Sequence, residues 1–92
     1  MSKKVIARLF IKEGSLAAFK KEADVVIKNT RAEKGCLFYS LFQDAQSPTD
    51  FLFYEEYTDQ AALDVHFNSA YLAAFRQVVA GMALKSTVVE VV

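Results

Sequence analysis

A period of two opens the chain. Between Lys3 and Lys12, Val5, Ala7, Leu9 and Ile11 fall on one side of an extended segment and Ile6, Arg8 and Phe10 on the other. The spacing predicts a strand with two largely apolar faces. Glu13-Gly14-Ser15 breaks it, and Leu16, Phe19, Ala23, Val26 and Ile27 then recur at the three-to-four spacing of an amphipathic helix. Lys20, Lys21, Asp24 and Lys28 take its wet side. Ser15 is placed to cap the helix, and Gly35 to end it in a positive-φ C′ position that glycine adopts without a Cβ clash.

Alternation returns from Cys36 to Gln43, with Leu37, Tyr39 and Leu41 against Phe38, Ser40 and Phe42. Asp44 to Thr49, with Pro48, supplies a hairpin loop. The second strand, Phe51 to Tyr57, sets Phe51, Phe53, Glu55 and Tyr57 on one face and Leu52, Tyr54 and Glu56 on the other. Thr58 or Asp59 caps a short helix through Asn68, Ser69 caps another carrying Leu72, Phe75, Val79 and Met82, and Lys85 to Val92 reads as a β-branched strand. The order β-α-β-β-α-α-β predicts an α+β fold, a four-stranded antiparallel sheet with helices on one side. This is the ferredoxin-like split βαβ arrangement with an extra helix, in a single domain spanning residues 1–92.

Two-faced strands carry a further consequence. Helices cover one side of such a sheet, so the other side must lie in water or meet a second sheet. At roughly 25 cal/mol per Å², several exposed Phe, Tyr and Leu side chains forfeit a stabilisation comparable with the net stability of a small domain. A face-to-face homodimer is therefore expected.

Composition removes several function classes. In 92 residues, 53% of them hydrophobic, eleven basic side chains balance eleven acidic ones and no basic block occurs. The electrostatic footprint for nucleic acid or an anionic membrane is thus missing, and neither partner is expected. The longest apolar run is far short of a bilayer span and the start is too polar for a secretion signal, which points to the cytoplasm. One cysteine, Cys36, and one histidine, His66, make no zinc cluster, so no metal is expected. The phosphate-loop, Ser/His/Asp and paired-carboxylate signatures are absent too.

His66 is the one side chain that ordinarily titrates near neutrality, and helical spacing puts it on the face of Ala62 and Leu63. It is either a hydrogen-bonded core histidine or a catalytic base. Glu55 stands among aromatics, flanked on its own face by Phe53 and Tyr57, where an ionised carboxylate is costly unless paired. An ion pair with Arg31, Arg8 or Arg76 is one reading, a general base or substrate anchor the other. Tyr39, Tyr54, Tyr57 and Tyr71 could each offer a phenol to a ligand or simply pack. Cys36 has no neighbouring base to activate it and reads as a small apolar residue.

The string Arg31-Ala32-Glu33-Lys34-Gly35-Cys36-Leu37-Phe38-Tyr39, then Glu55-Glu56-Tyr57-Thr58-Asp59-Gln60-Ala61-Ala62-Leu63-Asp64-Val65-His66, then Tyr71, resembles the antibiotic biosynthesis monooxygenase family. Arg31, Glu33, Gly35, Tyr39, Glu55, Asp59, Ala62 and His66 match its pattern, and Tyr57 replaces the usual Trp. The resemblance implies a dimeric α+β barrel of two ferredoxin-like sheets. It also implies oxidation of a quinol or anthrone-like phenol by O2 without metal or other cofactor. Tyr39, Phe53, Tyr57 and Tyr71 would surround the small aromatic substrate, with His66 as base or donor and Glu55 orienting it. Two alternatives accompany this. One is an isomerase of a phosphorylated sugar-like substrate, in which Arg31 meets the phosphate; the other is a non-enzymatic dimeric ligand-binding module. Haem-degrading relatives carry Asn, Trp and His where this chain has Ala7, His66 and Arg76, which removes the iron ligand.

Overall fold

β1 (Lys3–Ile11), α1 (Leu16–Arg31), β2 (Cys36–Gln43), β3 (Asp50–Tyr57), α2 (Gln60–Phe67), α3 (Ala70–Val79) and β4 (Ala83–Val91) follow one another in the computed structural model, which describes residues 2–91. The order is the expected one, with a single 3-10 turn, Glu13–Ser15, added before α1. Val92, expected to end the last strand, lies outside the described residues. The four strands form one antiparallel sheet in the order β2-β3-β1-β4. β1 and β2 therefore run parallel on either side of β3 and are joined by α1, which is the ferredoxin-like arrangement.

Directly paired residues share a face of an antiparallel sheet, so the register sorts the side chains. Val5 and Tyr39 both pair with Glu55, and Ala7 pairs with Phe53. With Leu9, Ile11, Phe51 and Tyr57 they face the helices. α1 buries Phe19, Ala23 and Val26 there, and α3 adds Leu72, Phe75 and Val79. The Phe19 ring centre lies 4.7 Å from that of Phe51 and 6.2 Å from that of Phe75, knitting both helices to the sheet. The opposite face has no helix. Ile6, Phe10, Leu52 and Tyr54 emerge on it with Phe38, Phe42 and Val89, the last three 41%, 50% and 56% exposed.

Met82, expected on α3, lies beyond the end of that helix at Val79, and four further local expectations needed correction. Leu37 does not join Tyr39 and Leu41, because the pairing of β2 with β3 slips between Cys36 and Phe38 and the bulge turns Leu37 outward, 58% exposed. Ser15 makes no side-chain cap, since the 3-10 turn already leads the backbone into α1. Ser69 does not cap α3 either; its hydroxyl donates to the His66 carbonyl at 2.7 Å. Of the two capping candidates for α2 it is Asp59 that acts, accepting the Ala62 N–H at 2.9 Å.

The fourth correction concerns Gly35, which does not adopt positive φ. Its missing side chain serves a close approach instead: a Cβ built there would stand 2.3 Å from Ala62 Cβ and 3.2 Å from Thr58 Oγ1. The Gly35 carbonyl also accepts the Thr58 N–H at 2.9 Å. The turn after α1 is thereby pressed against the first turn of α2, and His66, one helical turn beyond Ala62, is brought beside that turn.

Gly35→Ala should overpack this contact and lower stability by about 1–3 kcal/mol in urea unfolding. In the Gly35→Ala/Ala62→Gly double variant the cost should fall clearly below the sum of the two single costs. Strict additivity would show that the Gly35–Ala62 approach is not what the glycine provides.

Candidate active site

Three elements converge on one imidazole. α2 delivers His66, the turn following α1 delivers Glu33, and β3 delivers Glu55, with side chains only 1%, 8% and 4% exposed respectively. His66 Nδ1 is 3.0 Å from Glu33 Oε2, and Nε2 is 3.6 Å from Glu55 Oε1. The Tyr71 hydroxyl donates to the same Glu33 oxygen, and the Tyr57 hydroxyl donates to Glu55 Oε1 at 2.7 Å. Tyr39 and Tyr57 flank the imidazole, their ring centres 5.4 and 5.2 Å from its own.

This arrangement assigns the tautomer. Glu33 Oε2 already accepts from Tyr71, so it accepts from an Nδ1–H as well, and the Nε2 lone pair is left facing Glu55. Burial lowers the His66 pKa below its ordinary value, outweighing the Glu33 contact that raises it. Burial also pushes Glu55 up to about 7, against the Tyr57 hydrogen bond and the Arg76 charge, which pull it down. Near neutral pH the site thus holds an uncharged imidazole with a free nitrogen beside a carboxyl group close to half-protonation. Such a pair can take a proton from one atom of a ligand and return it to another. Tyr39 and Tyr57 are raised by burial and then by Glu55, so both stay phenols. The Cys36 thiol, raised by burial to about 11, is no nucleophile.

The His66–Glu55 edge opens on a cavity of about 310 Å³ between the sheet and α3. Ala7, Leu9, Phe53, Leu72, Phe75 and Val79 make its apolar wall, while Tyr39, His66, Glu55 and Arg76 supply polar groups. Room for a small ring system therefore adjoins the imidazole, and a mostly apolar wall with few convergent polar groups is the usual make-up of a small-molecule site.

Of the residues singled out in the sequence, Tyr39, Phe53, Glu55 and His66 meet at this cavity. Tyr57 and Tyr71 do not line it. They stand behind it, each donating to one of the two carboxylates. Arg31 lies apart: its Nε donates to the Tyr39 carbonyl at 2.9 Å and its Nη2 to Ser40 Oγ at 3.1 Å, beside β2. The phosphate contact that an isomerase would ask of Arg31 is therefore not offered at this cavity. Among the described residues no arginine pairs with Glu55 within 4.0 Å; its partners are Tyr57 and His66. Glu33 matches the family pattern but was given no role in the site, because a Glu in the turn after a helix shows no periodicity that marks its burial.

The pattern defining the family described as antibiotic biosynthesis monooxygenase matches residues 4–78. An uncharacterized Synechocystis protein, sll1783, is 41% identical over 49 residues, which are 53% of this chain and only 33% of that protein. Rv0793 of Mycobacterium tuberculosis, provisionally named a monooxygenase, is 31% identical over 87 residues, 95% of this chain and 85% of its own length. A crystal structure described as an antibiotic biosynthesis monooxygenase superposes with a TM-score of 0.92 at 33% identity, covering 100% of this chain and 97% of that one.

The raised Glu55 pKa makes stability depend on pH with a definite sign. Between its ordinary 4.5 and about 7 the folded chain holds the proton more tightly than the unfolded chain, so this group's contribution is present in acid and lost as pH rises through 7. His66 acts oppositely, its lowered pKa costing stability as pH falls below 6.5. Glu55→Gln should therefore gain on the wild type as pH rises from 4.5 to 8, by on the order of 3 kcal/mol. Thermal unfolding across that range measures it, and a pH-independent difference would refute the assignment.

Proposed function

Because the chain belongs to the antibiotic biosynthesis monooxygenase family, we propose that it oxidises a small electron-rich phenol or quinol with O2, using His66 as the base. The observation that carries this reading is a buried imidazole, fixed by Glu33 and facing Glu55, at the polar end of an apolar cavity. His66 Nε2 takes the phenolic proton. The resulting phenolate is electron-rich enough to pass an electron to O2, and the radical pair closes a C–O bond at a free ring position. Loss of water from the hydroperoxide gives the quinone: the base removes the ring C–H proton, the O–O bond breaks, and the departing hydroxide is protonated. One phenol and one O2 yield one quinone and one water, so the ring itself supplies all the electrons. Glu33 holds the ring and its tautomer, and Glu55 moves the proton between the two steps.

The assembly belongs to the same proposal. The uncovered sheet face, with Phe38, Phe42, Tyr54 and Val89, fits a second copy packed face to face as a homodimer. A contiguous apolar patch of this kind is otherwise a liability for a soluble chain.

Two measurements test this. In an oxygen electrode, protein stripped with chelator should consume O2 with 1-naphthol or a simple hydroquinone, and His66→Ala should slow it by about 100-fold or more, the range for loss of a general base. Absence of uptake with every electron-rich phenol, or an unimpaired His66→Ala, would overturn the reading. Light scattering should give twice the chain mass, and Phe38→Lys/Phe42→Lys half of that; a wild-type monomer at micromolar concentration contradicts the dimer.

A further inference from the structure

One full charge on the cavity wall has no partner. Arg76 lies on the α3 stripe of Leu72, Phe75 and Val79 and lines the cavity with them. Arg76 is solvent-exposed on its outer side, and among the described residues no carboxylate comes within 4.0 Å of its guanidinium. The guanidinium is not adrift: its Cζ sits 5.5 Å from the centre of the Phe67 ring, another residue of the cavity wall. Across the cavity Ser86, paired with Leu9 and on the same sheet face, brings a hydroxyl to the opposite wall. The charge of Arg76 is felt at the far polar end as well, where it lowers both Glu55 and His66.

A planar fork of donors at the rim of an apolar cavity is matched by a planar anion. Resting on the reading of this cavity as an oxidase site, we propose that Arg76 recognises an anion and that the substrate is a phenol carrying a carboxylate, seated with its hydroxyl at His66 and its carboxylate on Arg76. A monoanion balances the guanidinium of Arg76, whereas Arg8, which also borders the cavity, has Asp50 as its partner at 3.8 Å. A phosphate dianion would leave net negative charge beside Glu55 and Glu33, against the field of the site. The consequence for turnover is that Arg76 orients the ring, because a ligand tied at the rim presents its opposite end to Nε2.

The test compares 6-hydroxy-2-naphthoate with 2-naphthol, which lacks only the carboxylate, by anaerobic calorimetric titration of wild type, Arg76→Gln and Arg76→Lys. Wild type should bind the acid about 10- to 100-fold more tightly than the naphthol. Arg76→Gln should erase that preference while leaving naphthol affinity within about two-fold, and Arg76→Lys should keep part of it. Equal wild-type affinity for the two ligands, or parallel loss of both in Arg76→Gln, overturns the proposal and leaves Arg76 as a cation at the end of α3. If Arg76→Gln does not fold, the wild-type ratio at 50 mM and 500 mM salt decides: a preference that shrinks with salt supports a charge contact, and an unchanged ratio refutes it. Oxygen uptake distinguishes the two readings, since acid preference without uptake fails the oxidase alone, and uptake with neutral phenols without acid preference fails the anion site alone.

Discussion

Two carboxylates share one buried imidazole, and most of the structure is arranged so that they can. An ionised carboxylate in an apolar interior is expensive unless it is hydrogen-bonded, and here each accepts from a tyrosine hydroxyl, Glu33 accepting from His66 Nδ1–H as well. The three groups come from a turn, a strand and a helix that are distant in sequence. Their meeting depends on backbone positions fixed elsewhere. Gly35 lets the α1–β2 turn touch Ala62, Asp59 starts α2 at the right residue, and the antiparallel register puts Glu55 between Val5 and Tyr39 on the helix-covered face.

The chemistry follows from burial acting unequally on the members of the cluster. The same desolvation moves the histidine down and Glu55 up to about 7, so the imidazole is uncharged at neutrality while the carboxyl group titrates there. An uncharged base beside a carboxyl group near half-protonation is the pair that the proposed oxidation of a phenol would use, to remove one proton and return it to a departing hydroxide. Phe53, Phe75 and Leu72 form the apolar wall of the cavity beside this pair.

Much of this was legible in the sequence because it rests on periodicity. The two-faced strand at Lys3–Ile11 and the stripe of Phe19, Ala23 and Val26 each state their own burial, and they led to the ferredoxin-like sheet. The parity of β3 already placed Glu55 with Phe53 and Tyr57, though which face met the helices waited on the pairing with β1. What stayed hidden depends on contacts across elements. Glu33 is polar and lies in a turn, so no pattern marks its burial. Gly35 reads as a helix terminator from local rules, whereas its partner Ala62 is 27 positions away. Arg31 and Arg76 look interchangeable as cations; only the fold shows one tied to the Tyr39 carbonyl and the other at the cavity.

Because the chain has a single histidine, nitrogen-15 NMR of its imidazole tests the central claim without assignment ambiguity. The two-carboxylate clamp predicts a neutral ring above pH 6.5 with the proton on Nδ1 and a bare Nε2, titrating below the ordinary histidine value. A proton on Nε2, or a ring that stays charged above pH 6.5, would contradict it.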